Sequence, residues 1–324
     1  MKKILLASSA LVLTAGYAAA DVTVSGDGRM GIVYAEDGYA NALTGKTKDW
    51  SYNSRIRIKF AASGETDGGL AFGGSVRADH YDDDQGTKGT AGDVFISGGF
   101  GKLSMGDVDG GAEKAIGDLA EIGYTCLACL NETTYLFGGN DPSALYEYAY
   151  EGLILALGVS DDEEYSVGVG YDGGMWSVGL GYENVPEGST ISLIDNDETG
   201  LTADVLSDED LEQVFVGGSV TFSDITLKGV YGVVDADDWE IEQYGISAEG
   251  TWGATTVAAY WRALDTSDIM FDGDGDGFAD EEFGKIEIYG IGAEYDLGGG
   301  ASVAGGIASV DDNTIGDIGL KFSF

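Results

Sequence analysis

Proline, cysteine and histidine are all scarce in this chain. The 324 residues contain two prolines, Pro142 and Pro186, two cysteines and one histidine. Proline cannot donate a hydrogen bond to a strand ladder, and both prolines fall between the alternating segments described below. None of these segments contains a proline that would have to lie at the free edge of a sheet. The sheet can therefore close on itself without an edge.

Long apolar runs are also scarce. Two lysines near the start precede a short apolar segment and three alanines that end at residue 20. This pattern is typical of a secretory signal peptide, so we expect residues 1–20 to be cleaved and 21–324 to form one domain. No later stretch reaches the roughly 18 to 20 uninterrupted apolar residues that a spanning helix needs.

Basic residues are few. Without the two lysines of the leader, 14 basic residues stand against 57 acidic ones, a formal charge of 14 − 57 = −43. Such an excess repels polyphosphates and excludes nucleic acid as a partner. It indicates either a surface that collects cations or an adaptation to salty water, and we favour the adaptation.

Apolar residues recur at every second position, which is the period of a strand. Tyr146, Tyr148 and Tyr150, for example, alternate up to a turn at Glu151-Gly152, after which the alternation resumes. Short glycine-rich connections of this kind are typical of tight hairpins. Sixteen segments follow the pattern: 21–34, 52–63, 69–81, 91–99, 101–106, 144–151, 152–160, 164–173, 174–185, 211–223, 224–236, 239–252, 253–265, 283–298, 299–310 and 314–324.

The connections alternate in length. Those after even-numbered segments are short, whereas the long ones, 35–51, 107–143, 186–210 and 266–282, all follow odd-numbered segments. Bacterial outer-membrane barrels have short periplasmic turns and longer external loops. The sequence therefore predicts an all-β fold, a transmembrane antiparallel β-barrel of 16 strands with both ends on the periplasmic side.

A soluble β-protein is the alternative, because any sheet with one wet face alternates. Against it, one predicted strand carries Arg55, Arg57 and Lys59 on its polar face, and the apolar faces are rich in aromatic residues. A sandwich must bury one face of every strand, whereas a barrel in lipid has an apolar exterior and tolerates a charged lumen. The last strand alternates to a C-terminal Phe324, which resembles the signal read by the barrel assembly machinery.

Three stretches resemble a known family. The segment Gly101-Lys-Leu-Ser-Met-Gly-Asp-Val-Asp-Gly-Gly111 and its continuation to Tyr124 resemble the fifth strand and constriction loop of alphaproteobacterial general-diffusion porins. Val22 to Tyr34 and Tyr295 to Phe324 are similar to the two ends of that family. The resemblance implies a homotrimer in lipopolysaccharide-containing outer membrane, each barrel having its third external loop folded into a pore for small hydrophilic solutes and ions.

Charges are expected to line the constriction of such a pore. Strand parity points a cluster of basic residues inward, opposite the acids of the connection 107–143, so that a transverse field crosses the neck. Alternatively, each arginine pairs with a luminal acid such as Asp27 or Asp79 and stiffens the wall. The basic residues are Arg29, Arg55, Arg57, Lys59, Arg77 and Lys102, and the acids are Asp107, Asp109, Glu113, Asp118, Glu121, Glu132 and Asp141.

One external connection resembles the start of a calcium loop. Its oxygen ligands at alternate positions precede a glycine that permits the sharp turn, but position 12 is Phe283 where a bidentate glutamate is expected. A solvated acidic loop is the alternative, and no cofactor other than calcium is suggested. The candidate ligands are Asp272, Asp274, Asp276 and Asp280.

The two cysteines, Cys126 and Cys129, both fall in the predicted constriction loop. The compartment is oxidising, so a local disulfide and two free thiols are the alternatives. A C-x-x-C pair alone falls short of the four ligands of a structural zinc site, and the single histidine, His80, is remote in sequence. The porin loop that this segment resembles lacks such a pair.

Two other classes of outer-membrane barrel are alternatives to a porin. A hydrolase usually needs a base beside its nucleophile, and His80 is the sole histidine with no G-x-S-x-G motif in the chain. An adhesin or receptor barrel would be expected to add a plug or passenger domain, and no segment is long enough to supply one. A substrate-selective channel remains the alternative to a general one. We therefore expect a passive channel and not an enzyme.

Overall fold

The structure is a computed structural model. It describes residues 21–36, 49–80, 87–88, 92–127, 129–138, 143–188, 190–196, 201–206, 209–236, 239–271, 281–310 and 313–324. Within these residues, no helix is both long enough and apolar enough to cross a bilayer.

Nineteen strands and one short helix make up the described chain. The first nine strands are β1 (Asp21–Ala35), β2 (Trp50–Glu65), β3 (Ala71–His80), β4 (Thr87–Lys88), β5 (Gly92–Gly98), β6 (Gly101–Gly106), β7 (Ser143–Tyr150), β8 (Leu153–Ser160) and β9 (Tyr165–Asp172). The others are β10 (Trp176–Val185), β11 (Thr190–Asn196), β12 (Leu201–Leu206), β13 (Leu211–Phe222), β14 (Ile225–Asp235), β15 (Glu240–Trp252), β16 (Thr255–Phe271), β17 (Glu281–Gly298), β18 (Ala301–Val310) and β19 (Asn313–Ser323). The helix, α1 (Gly111–Ile116), lies between β6 and β7.

Sixteen of these strands close into one antiparallel barrel. Each pairs with its sequence neighbours, and β1 pairs with both β2 and β19, so the barrel leaves no free edge. The backbone of Phe324 both donates to and accepts from Gly26, at 2.9 and 2.8 Å, which ties the C-terminus to β1. The predicted sixteen-stranded barrel is confirmed, with strand ends within a few residues of those expected.

The structure also contains strands that the alternation did not predict. β11 and β12 form a separate hairpin inside the connection 186–210, and the two-residue β4 pairs with the end of β3. β16 and β17 extend beyond the predicted limits, to Phe271 and from Glu281. These segments lie at the loop-bearing rim. A strand there does not contact lipid, so neither of its faces must be apolar and the alternation of apolar and polar residues is lost.

The two faces of the wall differ as the alternation predicts. Along β10, Trp176, Val178 and Leu180 are exposed on the outer face, which suits contact with lipid. The same pattern holds on β1 and β19, where Met30 and Ile318 are exposed. The opposite, inner face carries glycines and polar side chains, among them the fully buried Glu183 and Gln213.

The tightest core lies against the inner face and not between two sheets. Residues 107–138, here called the loop segment, include α1 and bury a series of apolar side chains. Wall residues such as Val230, Ile241 and Ile288 complete the cluster. The buried members from the loop segment are Ala112, Ile116, Leu119, Ile122, Leu127, Leu130 and Leu136.

Candidate functional site

The inner faces of β1, β2 and β3 carry a group of arginines. Arg29 is directly opposite Arg55 in the strand register, and Arg57 is opposite Asp79. Because Met30, Ile56 and Val76 are exposed on the outer face, strand parity turns the arginines inward. The structure therefore places the four arginines of the predicted basic cluster on one continuous part of the inner wall.

Three of the arginines form ion pairs on the inner wall. Arg57 binds Asp79 through a guanidinium nitrogen at 2.8 Å, Arg77 reaches the same carboxylate at 3.2 Å, and Arg55 contacts Asp27 at 3.3 Å. The side chains of Arg55, Arg57 and Arg77 nevertheless remain 13, 23 and 40% exposed. Pairing thus orients the arginines without removing them from water.

The loop segment packs against a different part of the inner wall, which is built for close approach. A Cβ added at Gly245 would lie 2.6 Å from Leu119 Cδ1, and one added at Gly217 would lie 2.6 Å from Ile116 Cγ2. Inner-face glycines of β9, β10, β13, β15, β17 and β18 form this surface, here called the glycine track. Its members are Gly168, Gly179, Gly181, Gly217, Gly245, Gly290, Gly292 and Gly306.

A buried carboxylate of β19 holds the middle of the loop segment. Asp317 accepts hydrogen bonds from the backbone N–H groups of Tyr124 and Thr125, at 2.9 and 2.8 Å, and from the Thr125 hydroxyl at 2.7 Å. Its other oxygen accepts from the Gly306 N–H at 3.1 Å. A side chain that is only 8% exposed thus fixes this part of the loop segment to two strands.

Further polar side chains of the wall hold the second half of the loop segment. Gln213 and Gln243 both donate to the carbonyl of Thr134, at 3.1 and 2.6 Å. The Arg262 guanidinium donates to the backbone carbonyl of Glu132 and, at 2.9 Å, to the Thr134 hydroxyl. In each of these contacts a side chain of the wall bonds a backbone or hydroxyl group of the loop segment.

The start and end of the loop segment meet at Glu183 of β10. The carboxylate accepts from the Leu136 N–H at 2.7 Å and from the Ser166 hydroxyl at 2.9 Å. The same hydroxyl accepts the Ala112 N–H at 2.9 Å. One buried acid therefore ties the first turn of α1 to the chain that returns toward β7.

A cavity of about 720 Å³ separates the arginines from the loop segment. Glu121 and Glu132 project into it from the loop segment, together with Cys126 and Cys129. The opposing lining comprises Asp27, Arg29, Arg55, Arg57, Arg77, Glu294 and Lys321. Two of the seven predicted loop acids thus line the same cavity as four of the six predicted basic residues.

Known proteins share this architecture. A family model described as Gram-negative porin matches residues 7–315. The chain belongs to the Gram-negative porin family. A porin from Rhodobacter capsulatus is 34% identical over 343 residues, covering 94% of this chain and 100% of that protein. A porin from Fuscovulum blasticum is 28% identical over 327 residues, again covering 94% and 100%.

Solved porin structures match the fold along the same length. One, refined at 1.8 Å resolution, superposes with a TM-score of 0.70 at 33% identity and covers 94% of this chain and 100% of its own. A mutant of Rh. blastica porin gives 0.67 with the same coverage, and at 24% identity it supports the fold alone. As a member of this family the chain is an outer-membrane channel and not an enzyme.

The four other described loop acids of this porin do not line the cavity. Asp109 pairs with Lys114, and Asp118 accepts the Thr133 N–H at 2.8 Å. Burial, reinforced by the nearby carboxylates of Asp109 and Asp118, raises the pKa of Glu113 from 4.5 to about 8. Glu113 is therefore largely uncharged at neutral pH. Asp107 is exposed at the end of β6, and Asp141 lies outside the described residues.

Two predicted basic residues share the inner face but not the cavity. Lys59 is paired in register with Arg77, and Lys102 lies 3.7 Å from Glu147 with its ammonium 5.3 Å from the Phe95 ring centroid. Strand parity assigns a residue to a face but does not show which residues of that face line the cavity, so it could not separate these lysines from the arginines.

Lys321 and Glu294 were missed by the sequence analysis. Lys321 is opposite Arg29 in the register and continues the basic row onto β19, while its ammonium contacts Glu294 at 3.3 Å and Glu121 at 3.7 Å. Leu320 and Phe322 flank Lys321, so the alternation that predicted the last strand also places this lysine inward. Only the pairing of the first and last strands brings it beside Arg29.

The two cysteines are joined by a disulfide bond in the structure. Cys126, Leu127 and Cys129 have φ of 56, 47 and 48°, a left-handed backbone that residues with a Cβ adopt at a cost. The bond therefore closes a tight turn on the cavity surface. The candidate calcium ligands Asp272, Asp274, Asp276 and Asp280 lie outside the described residues, in the connection between β16 and β17.

Proposed function

We propose that the loop segment folds into the pore and forms its constriction, through which small hydrophilic solutes and ions diffuse passively. The observation that supports this most directly is the cavity of about 720 Å³ between Arg29, Arg55, Arg57 and Arg77 on one side and Glu121 and Glu132 on the other. Pockets of about 300 to 1,000 Å³ suit small molecules, so the size fits solutes of a few hundred daltons.

The proposed mechanism is a transverse field. Positive groups on β1 to β3 and negative groups on the loop segment face each other in a narrow, partly shielded space, where charges act more strongly than in bulk water. A dipolar solute aligns with this field, whereas an apolar solute of equal size must displace ordered water without compensation. Charges elsewhere contribute less, since screening acts over about 8 Å at physiological salt.

Reconstitution tests this function. Purified protein in liposomes should admit small sugars and amino acids at rates that fall steeply with solute size, and in planar bilayers it should give large conductance steps in groups of three. Inserted protein that passes neither ions nor sugars would contradict the channel and favour a receptor barrel. Steps that always occur singly would contradict the trimer alone.

Export, assembly and outer-membrane contacts complete the proposal. Cleavage of residues 1–20 is supported by their sequence pattern, in which two lysines precede a short apolar segment and three alanines. Recognition by the assembly machinery through the C-terminal strand is supported by the alternation on β19 up to Phe324, and the exposed apolar belt suits lipid and lipopolysaccharide. N-terminal sequencing of the membrane form should start at Asp21, and deletion of Phe324 should lower the amount of assembled barrel.

Weak calcium binding at the connection between β16 and β17 is proposed on sequence grounds alone. The spacing of Asp272, Asp274 and Asp276 before Gly277 supports it. Calorimetry should record calcium-dependent heat that is lost when Asp274→Ala and Asp276→Ala are combined. Heat that persists in the double variant would assign the binding to other carboxylates.

A further inference from the structure

The disulfide turn brings a third metal-ligating side chain to the two sulfurs. Cys126, Cys129 and Glu132 follow one another at intervals of three residues. The Cys129 N–H donates to the Cys126 carbonyl at 3.0 Å, and the Glu132 N–H donates to the Cys129 carbonyl at 2.9 Å. Two consecutive tight turns therefore gather both sulfurs and a carboxylate oxygen within 4.8 Å of one another.

Bonds outside the disulfide hold this turn in place. Before it, Asp317 accepts the Thr125 N–H at 2.8 Å, and after it the Arg262 guanidinium donates to the Glu132 carbonyl. Both anchoring side chains are buried in the wall. The backbone is thus fixed on either side of Cys126 and Cys129, so the three side chains should stay close together when the sulfur–sulfur bond opens.

The same three side chains face the solute path. Cys126, Cys129 and Glu132 all line the cavity that contains the arginines. An ion bound among them would be reached from the pore without any movement of the wall. It would also change the charge of the cavity, because Glu132 is one of the two loop acids there.

We propose that Cys126, Cys129 and Glu132 form a redox-gated site for thiophilic divalent cations such as Zn²⁺ and Cd²⁺. Zinc binds thiolate at about 2.3 Å and carboxylate at about 2.0 to 2.2 Å, so tetrahedral ligands lie about 3.5 to 3.8 Å apart. Ligand atoms that already lie within 4.8 Å need only small side-chain movements to meet this geometry. The fourth position faces the cavity and is filled by water.

The oxidised turn cannot bind in this way, because each sulfur is committed to the other. A phosphine reductant opens it: the phosphorus attacks one sulfur, the other leaves as thiolate, and water then supplies the oxygen of the phosphine oxide and the protons of two thiols. Cation binding releases the thiol protons, since the ligands are thiolates. Metal occupancy therefore requires prior two-electron reduction of the disulfide.

Binding is measured first, on purified full-length protein in detergent. After reduction, alkylation should add two groups per chain, and Cd²⁺ should produce thiolate-to-metal absorbance that saturates at one ion per chain. The oxidised protein and the combined Cys126→Ser and Cys129→Ser variant should give none. Absence of this absorbance from a chain with two verified thiols would overturn the site.

Glu132→Gln tests the third ligand against a matched control. It should weaken Cd²⁺ binding by about tenfold or more, because loss of even an outer-shell partner of a metal ligand costs about 10- to 100-fold in affinity. Glu121→Gln removes another carboxylate of the same cavity that is not in the cluster, and it should bind as the wild type does. Equal affinity of Glu132→Gln and wild type would overturn the assignment of Glu132.

Conductance then tests the position of the site, a step that rests on the proposed function. Micromolar Cd²⁺ should lower the single-channel conductance of the reduced protein by half or more, a chelator should restore it, and oxidised channels should not respond. Stoichiometric binding without any fall in conductance would support the metal site and contradict a constriction at the loop segment. Normal conductance without binding would contradict the metal site alone.

Discussion

Two parts of the inner wall differ in what they present to the pore. On β1 to β3 the inner face carries four arginines that line the cavity, three of them partly exposed, whereas on β9 to β19 it carries the glycine track and buried polar anchors under the loop segment. In the proposed channel, the first part interacts with solutes and the second holds the loop segment that narrows their path. The two tasks require different side chains. Contact with solutes needs long, charged side chains, whereas support of the loop segment needs glycines and buried polar groups.

The position of the loop segment and the charges that it presents to the cavity depend on different groups. Its anchors on the wall use backbone and hydroxyl groups and apolar side chains such as Leu119 and Ile122. The Glu121 side chain contacts the wall at the cavity, through Lys321 at 3.7 Å. Charges at the cavity can therefore change without loss of the anchoring. The largest expected effects should come from the buried part of the wall.

Filling the glycine track should have the largest effect. In Gly245→Val the added Cβ would lie 2.6 Å from Leu119 Cδ1 and 3.1 Å from Arg262 Cβ, so the loop segment must move. Overpacking of this kind costs about 1 to 3 kcal/mol. We expect faster proteolysis of the loop segment and an altered single-channel conductance.

Gly229→Val is the matched control on the neighbouring strand. The nearest atom to its added Cβ would be the Gly245 carbonyl oxygen at 3.8 Å, on the outer face of the wall. This variant should keep wild-type conductance. If both valines changed conductance equally, the effect would come from a general disturbance of the barrel wall, and the glycine track would have no special role.

Removing the central anchor should have the next largest effect. Asp317→Ala leaves the N–H groups of Tyr124 and Thr125 without their acceptor, a loss of about 1 to 3 kcal/mol for buried donors. We expect noisier single-channel currents and a changed selectivity in a barrel that still assembles. Asp93→Asn, whose carboxylate bonds Ser75 within the wall, is the control, and a similar increase in noise there would argue against a specific anchor.

The smallest expected effect is a pH dependence of the loop segment. Burial raises the pKa of Glu113 to about 8, so its stabilisation of the folded loop is complete below pH 4.5 and is lost as pH rises through about 8. Proteolysis of the loop segment should therefore accelerate as pH rises from 4.5 to about 8 and level off above that, and the rise should be smaller in Glu113→Gln. An unchanged pH profile in that variant would show that Glu113 is not the titrating group, and Glu121→Gln should keep the wild-type profile.

Much of the barrel could be predicted because its physical cause is local. A strand between lipid and water must alternate, so the period of two located sixteen strands and the inward arginines. The glycine track could not be found in this way, because its glycines look like any others among 54 until the loop segment is placed on them. Asp317 and Arg262 likewise act through contacts more than 100 residues apart.

The pairing of Lys321 with Arg29 illustrates the same limit. Each residue could be assigned to the inner face from the alternation of its own strand. The two become neighbours only because β1 pairs with β19. α1 was missed for a different reason: its six residues are too few to show a helical period, and it is held by Ser166 and the wall glycines. Long-range closure and short elements are thus the parts that sequence patterns leave open.

The central claim is that opposed charges at the cavity, and not the average charge of −43, govern ion selectivity. Reversal potentials in a salt gradient test it most directly. Arg55→Gln combined with Arg57→Gln should shift selectivity strongly toward cations, because both arginines line the cavity. Lys102→Gln with Lys285→Gln removes the same charge outside that lining and should shift it little. Equal shifts in the two double variants would contradict the account.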